Sequence, residues 1–231
     1  MHDNKNPSME LIKYIIEKKG LLFGRFELKS NRVSPYFFNL ANLIIDGKGL
    51  AYIAKVFAQF IEKNIGLNNF DFIFGPAYKG IPLAASICLQ INNIFKVNKR
   101  WGYDRKEAKT YGDKTEKWLV GQFKDNDRIL LIDDVITTGL TKIKTCEKLK
   151  NYSNISNIQF VGIVVLLDRQ EKNDDGIPIK QYLSNAGLTL HSILQIKDVY
   201  KTLINMKIRG KQVITEKEYS DFKNYMEKYG V

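Results

Sequence analysis

A chain of 231 residues, 44% hydrophobic and 26% charged, has an ordinary globular composition and can bury a sizeable core, which excludes a disordered or low-complexity class. Its two cysteines, Cys88 and Cys146, lie in apolar stretches, and its two histidines are His2 and His191, so buried free thiols are expected rather than a disulfide or a zinc cluster. The opening MHDNKNPSMEL lacks the apolar run of a signal peptide and no stretch approaches a membrane span, so a soluble, cytoplasmic protein with no membrane partner is expected.

In chain order, Ser8 can cap a first helix whose Met9, Ile12, Ile15 and Ile16 share one face, ending at Gly20. A second helix is predicted from about Leu50 to Asn64, with Ile53, Phe57, Phe60 and Ile61 at helical spacing. FDFIF at 70–74 is a short apolar run broken by Gly75 and Pro76, after which Pro82 opens another helix. The polar stretch 101–118 has no apolar period and is predicted to be a long loop; loops of that length in a compact domain are functional or disordered. RILLI at 128–132 is a second apolar run, followed by a Thr/Gly turn and a helix to about Lys150, and FVGIVVLLD at 160–168 is a third. Runs without polar alternation suit strands covered on both faces, as in a parallel sheet with helices on either side. Near the C-terminal end, a Thr215–Glu218 capping box opens a helix with Tyr219, Phe222, Met226 and Tyr229 on one face, closed by Gly230. The polar stretches 96–103 and 172–180 read as surface insertions without a catalytic role. No repeat or long linker divides the chain, so residues 1–231 are expected to form a single domain.

The segment ILLIDDVITTGLT at 129–141 carries the most chemistry. A buried strand is expected to end at Asp133 and Asp134, at the carboxyl edge where parallel sheets place their ligands. Thr137, Thr138, Gly139 and Thr141 then form a hydroxyl-rich turn into a helix, where backbone N–H groups and Thr hydroxyls make a pocket for a phosphate. Carboxylates accept hydrogen bonds from sugar hydroxyls, so acids on one side and a phosphate pocket on the other match a ribose 5-phosphate. Acid pairs after a strand also serve as turn caps or hold Mg²⁺. The four apolar residues before the pair and the TTG-x-T after it favour the sugar phosphate.

Asp133 to Thr141 resembles the phosphoribosyl pyrophosphate signature of type I phosphoribosyltransferases. The resemblance runs from about residue 20 to 171 and again along the C-terminal helix. It implies an α/β fold: a central, mainly parallel sheet flanked by helices, a small N-terminal hood formed by about residues 1–45, and a mobile catalytic loop. It also implies that Asp133, Asp134, Val135, Ile136, Thr137, Thr138, Gly139, Leu140 and Thr141 contact phosphoribosyl pyrophosphate, with Thr137 also beside the base.

Four further segments are similar to the orotate-specific branch of that family. In FELKSNRVSPYFFNL at 26–40, Lys29 supplies a cation and Phe37 and Phe38 supply flat faces for a pyrimidine; a core role is the alternative for such a Phe pair. The resemblance implies that this segment meets orotate, with Lys29 reaching the sugar pyrophosphate. Asn31 stands where the family usually has glycine, in a turn that tolerates either. In GPAYKGIP at 75–82, Gly75 and Gly80 let backbone amides approach an anion beside Lys79. The resemblance implies a pyrophosphate loop with Tyr78 and Lys79 in contact and a cis non-proline peptide. In YDRKEAKTYGDKTEKW at 103–118, RKEAK resembles the mobile catalytic loop, with cations at Arg105, Lys106 and Lys109. The family's usual His-Gly pair is here Tyr111-Gly112, and tyrosine is not cationic near neutrality. In LLDRQE at 166–171, Arg169 could pair locally with Asp168 or Glu171; the resemblance implies an orotate-binding arginine.

The implied reaction joins orotate to phosphoribosyl pyrophosphate, giving orotidine 5′-monophosphate and pyrophosphate in pyrimidine biosynthesis. Lys109, Arg105, Lys106 and Lys79 would stabilise the leaving group, aided by Mg²⁺ carried on the substrate with no direct protein ligand. Asp133 and Asp134 would hold the ribose hydroxyls. A homodimer with shared active sites is implied, since the family's loop closes over the partner subunit, and an orotidylate decarboxylase is a further candidate partner. Two rivals remain: a phosphoribosyltransferase for another base, and a nucleotide-sensing regulator of the same fold that binds RNA or DNA. The net charge of +11 is compatible with nucleic acid, with a phosphorylated metabolite or with a Lys-rich genome. No basic stripe interleaved with aromatics marks a nucleic-acid face, so no nucleic-acid partner is expected.

Overall fold

The structure, a computed structural model, describes residues 7–107, 118–151 and 156–231. Helix α1 (Pro7–Glu17) begins at Pro7, whose fixed φ suits the first helical position, so Ser8 lies inside the first turn instead of capping it. Its buried face is Leu11, Ile12 and Ile15; Met9 faces solvent. Strands β1 (Leu21–Glu27) and β2 (Val33–Phe38) form an antiparallel hairpin. Its turn closes through the amide of Leu28 donating to the Arg32 carbonyl at 2.9 Å, with Asn31 at φ 60°. Asparagine adopts this left-handed conformation more readily than most residues, so it can stand where glycine is usual.

Helix α2 (Gly47–Asn64) starts before the expected Leu50, because the Asp46 carboxylate caps it by accepting from the Gly49 amide at 2.7 Å. Ile53, Phe57 and Ile61 face inward as the spacing predicted, and Phe60 is half-buried. The chain then runs β3 (Phe72–Phe74), α3 (Gly80–Phe95), β4 (Arg100–Asp104), β5 (Leu119–Val120), β6 (Arg128–Ile136), α4 (Leu140–Lys150) and β7 (Gln159–Asp168). It continues with α5 (Ile179–Asn185), β8 (Leu190–Gln195), α6 (Ile196–Leu203), the short pair β9 (Lys207–Ile208) and β10 (Lys211–Gln212), and α7 (Glu216–Tyr229). The Thr215–Glu218 capping box is present at the start of α7.

Six strands form one sheet in the order β5-β4-β3-β6-β7-β8, parallel throughout except where β5 meets β4. Residues alternate between its two faces. Ile73, Leu130, Ile132, Val164 and Leu166 pack toward α1, α2, α3, α6 and α7, whereas Phe72, Phe74, Ile129, Leu131, Ile163 and Val165 pack toward α4 and α5. Each such side chain contributes about 1.5–3 kcal/mol on burial, which is why the apolar runs show no polar alternation. Cys88 and Cys146 are buried free thiols, and no helix among the described residues is long and apolar enough to cross a membrane.

Two expectations are corrected. Residues 100–103 are not a surface insertion but most of β4, an inner strand of the sheet beside β3. Its charges concealed it: Arg100 is paired with Asp127 at 2.8 Å, and Gly102 lies so close to the Val120 carbonyl and the Phe72 ring that a Cβ would overlap both. The acids of β6 do not end their strand either. β6 runs on to Ile136 and stays paired with β7 as far as Asp168. The other neighbour, β3, stops at Phe74 opposite Leu131, which opens a crevice on that side only.

Candidate active site

The chain passes from β3 through α3 to β4 on one side, and β6, β7 and β8 continue on the other. Such a reversal of strand order leaves a crevice at the carboxyl ends of the two central strands. A cavity of about 730 Å³ lies there. One wall is Pro76, Ala77, Tyr78 and Lys79 after β3; another is Asp133, Asp134, Val135, Thr137 and Thr141 from β6 and its turn. The hairpin closes it with Glu27, Leu28, Lys29, Ser30, Phe37 and Phe38, and Lys106 and Arg169 complete the lining.

The loop after β3 is set by its glycines. A Cβ on Gly75 would overlap the Gly80 carbonyl, and one on Gly80 would lie 2.7 Å from the Gly75 carbonyl carbon. The two glycines are therefore required by each other, as strand end and helix start pack in contact. Gly75→Ala should destabilise the fold by about 1–3 kcal/mol, read as a lower denaturation midpoint; an unchanged midpoint would contradict this packing. The Ala77–Tyr78 peptide is cis, in line with the sequence resemblance. Exposed Tyr78 has the Lys106 ammonium 4.4 Å from its ring centroid, and the Ala77 amide donates to the Asp104 carboxylate at 2.8 Å.

The two acids are each held by a lysine. Lys79 Nζ lies 2.7 Å from Asp134 Oδ2, and Lys142 Nζ bonds Asp133 Oδ2. Asp134 is 6% exposed; burial and the neighbouring Asp133 charge raise its pKa, and Lys79 partly offsets them. Gly139, at φ 72°, leads into α4 and lies against Ile179, Leu183 and Tyr182 of α5. Ile136 is packed in the core and Leu140 faces solvent, so either would meet a ligand through its backbone. The half-buried Thr137 and Thr138 flank the turn, with Thr137 and Thr141 on the cavity wall.

Phe38 is packed in the core and Phe37 is half-buried with its ring 5.6 Å from that of Phe26, and both still border the cavity. Arg169 is 2% exposed and forms the local ion pair with Glu171, at 2.7 Å, while still reaching the cavity. Lys109, Tyr111 and Gly112 lie outside the described residues. The ends of their stretch are described: the Arg105 amide donates to the Trp118 carbonyl at 2.7 Å, which draws the two ends together. Arg105 Nε is buried without a hydrogen-bond partner among the described residues.

Three residues near the site went unread in the sequence. Lys142 is buried in the first turn of α4, where the helix dipole disfavours a cation unless an acid such as Asp133 compensates. Lys148, also on α4, bonds the Arg105 carbonyl at 3.3 Å, pairs with Asp104 at 3.6 Å and covers the Trp118 ring at 4.6 Å. Asp104 thereby links the loop after β3 to the base of the 105–118 stretch. A cation in a helix's first turn is the one signal that could have pointed to Lys142.

The family model of the phosphoribosyl transferase domain matches residues 44–191. An orotate phosphoribosyltransferase of Clostridium acetobutylicum is 34% identical over 223 residues, spanning 96% of this chain and 97% of that one. The solved orotate phosphoribosyltransferase of Francisella tularensis superposes with a TM-score of 0.77 at 32% identity, over 96% of this chain and 100% of that one. A UMP synthase of Leishmania donovani matches with a TM-score of 0.75 at 26% identity, covering 97% of this chain and 43% of that one. A cavity with an acid pair and a Thr-Gly turn at the switch of a parallel sheet, together with full-length relatives of one kind, places this chain in the phosphoribosyltransferase family, among the orotate phosphoribosyltransferases.

Proposed function

We propose that the chain transfers the phosphoribosyl group of 5-phospho-α-D-ribose 1-diphosphate to orotate, giving orotidine 5′-monophosphate and pyrophosphate in pyrimidine biosynthesis. The observation that carries this reading is the one cavity lined together by Lys29, Lys79, Lys106, the Asp133–Asp134 pair, Thr137, Thr141 and Arg169. In the displacement, the bond from the anomeric carbon to pyrophosphate breaks as a ring nitrogen of orotate bonds to that carbon and gives up its proton to the departing pyrophosphate or to water. Positive charge grows on the ribosyl ring and negative charge on the leaving group. Asp133 and Asp134 hold the ribose hydroxyls and favour the cationic ring. Lys79, Arg105, Lys106 and Lys109 favour the departing pyrophosphate, whose contacts also include Lys29 and Tyr78. The 5-phosphate sits on the turn from Val135 through Ile136, Thr137, Thr138, Gly139 and Leu140 to Thr141. Orotate lies against Phe37 and Phe38, with Thr137 and Arg169 at its polar edge.

Mg²⁺ would enter this site carried by the pyrophosphate, without a direct protein ligand, and the hard carboxylate oxygens of Asp133 and Asp134 on the cavity lining suit the neighbourhood of such an ion. When bound it would neutralise charge on the leaving group. The enzyme works as a homodimer whose catalytic loop serves the partner's site. Residues 1–231 act as one catalytic domain in the cytoplasm, and an orotidylate decarboxylase would consume the product.

The test is pyrophosphate release from the sugar donor and Mg²⁺ with a panel of bases. Turnover with orotate and not with uracil, adenine or guanine is expected. Turnover with another base alone would transfer the assignment to that base, and none with any base would favour a regulator.

A further inference from the structure

We propose that Glu171 is a positioning residue for orotate recognition, which aims the Arg169 guanidinium into the cavity and couples it to Arg32 and to the C-terminal helix. The inference rests on the reading of Arg169 as the base-recognising arginine.

Arg169 follows directly on β7, and burying a guanidinium is costly unless its donors are satisfied. Its Nε donates to Glu171 Oε1 at 2.7 Å. Its Nη2 donates to Ser34 Oγ at 3.0 Å and to the Tyr225 hydroxyl at 3.3 Å. Its face lies 4.2 Å from the Tyr36 ring centroid. Nη1 makes no hydrogen bond to protein among the described residues, and Arg169 belongs to the cavity wall with Phe37 and Phe38. A guanidinium is planar and rigid, so fixing Nε and Nη2 fixes the direction of Nη1. The nitrogen left over is the one available to a carbonyl or carboxylate edge of the base.

Glu171 does more than pair with one arginine. Its side chain is fully buried and takes three donors from three parts of the chain. Oε1 accepts from Arg169 Nε and from the Tyr225 hydroxyl at 2.9 Å, and Oε2 accepts from Arg32 Nη1 at 3.2 Å. Burial and the Glu171 charge push the Tyr225 hydroxyl up to about 12, so it remains a donor at neutral pH. Arg32 comes from the hairpin turn; it also donates to the Lys172 carbonyl and to Asp174, both at 2.9 Å, and lies 5.0 Å from the Tyr229 ring. The polar stretch 172–180 thus has a structural part here, receiving the donors Arg32 does not give to Glu171. One carboxylate holds two buried cations and ties the hairpin, the end of β7 and α7 at the base side of the cavity.

The measurement is steady-state kinetics of Glu171→Gln, Arg169→Ala and the double variant in the full chain, with melting temperatures alongside. Glutamine preserves shape but removes the charge and turns an N–H group toward one of the arginines. We expect Glu171→Gln to raise KM for orotate about 10- to 100-fold, the scale of a lost charge-assisted hydrogen bond, with KM for the sugar donor within about twofold. In the Arg169→Ala background it should add little, because both variants remove one interaction. Equal increases in both KM values, or the same increment in both backgrounds, would make Glu171 a merely structural staple and overturn the proposal. An unchanged orotate KM in Arg169→Ala would instead sink the base-recognising reading of Arg169. Should Glu171→Gln fail to fold, Tyr225→Phe removes one donor to Glu171 and one acceptor for Arg169. A smaller rise confined to orotate KM is expected of it, and no rise would count against the positioning role.

Discussion

Replacing Lys109 by alanine should lower kcat by about 10²–10³, the usual effect of deleting one preorganised group that stabilises transition-state charge. KM for the sugar donor should change far less, because the charge that Lys109 would meet grows only as the bond to pyrophosphate breaks. Neighbouring groups support the placement. Lys106 is on the cavity wall above Tyr78, and the Arg105 amide meets the Trp118 carbonyl, so the two ends of the stretch carrying Lys109 are joined next to a residue of that wall. Melting temperature should stay at the wild-type value, which separates lost catalysis from lost fold. Near-wild-type turnover would remove Lys109 from the mechanism. A second experiment checks the shared site. Mixed with Asp134→Asn chains and allowed to exchange subunits, Lys109→Ala chains should regain activity that neither parent has, since one site of each hybrid is intact. No recovery after verified exchange would place loop and acids in the same subunit.

Much of this was legible in the sequence where the physics is local. The three apolar runs became the central strands because each is covered on both faces, and the capping box at Thr215 and Glu218 needs only residues within one turn. The Asp133–Thr141 segment could be read because strand, acids and Thr-Gly turn are contiguous. What escaped depends on partners distant in the chain. β4 looks like a polar loop until Asp127 is brought beside Arg100, and β8 is a short strand whose mixed pattern matches no clear period. Arg169 could be found by its motif, but its division between Glu171, Ser34 and Tyr225 could not, since those partners belong to three separate segments. Lys142 and Lys148 were hidden for the same reason: each is an ordinary helix lysine until β6 or the base of the 105–118 stretch is laid against it.

Asp134→Asn should separate activity from stability more sharply than any other single change. The Asp134 carboxyl is buried, and burial first, then the Asp133 charge, raise its pKa in the folded protein, with Lys79 offsetting part of the rise. A group whose folded pKa lies above its unfolded value binds its proton more tightly when folded. Its contribution to stability is therefore fully present below the unfolded pKa, about 3.9 for aspartate, and is lost as pH rises through the folded one. Above its folded pKa the ionised carboxylate thus destabilises the free protein relative to an uncharged group of the same shape. Asparagine keeps the shape, can still accept from the Val135 amide as Asp134 Oδ1 does at 2.9 Å, and carries no charge. Lys79 loses its partner, but its side chain is 43% exposed and water can solvate it. The melting temperature of Asp134→Asn at neutral pH should therefore equal or exceed that of the wild type, with the difference shrinking as pH falls into the carboxylate range. Activity should move the other way: with the charge proposed to face the ribosyl cation gone, kcat/KM should fall by about 10²–10³. A lower melting temperature together with retained turnover would make Asp134 a structural acid. The expected pattern makes it a functional one, a buried acid retained at a cost to the fold.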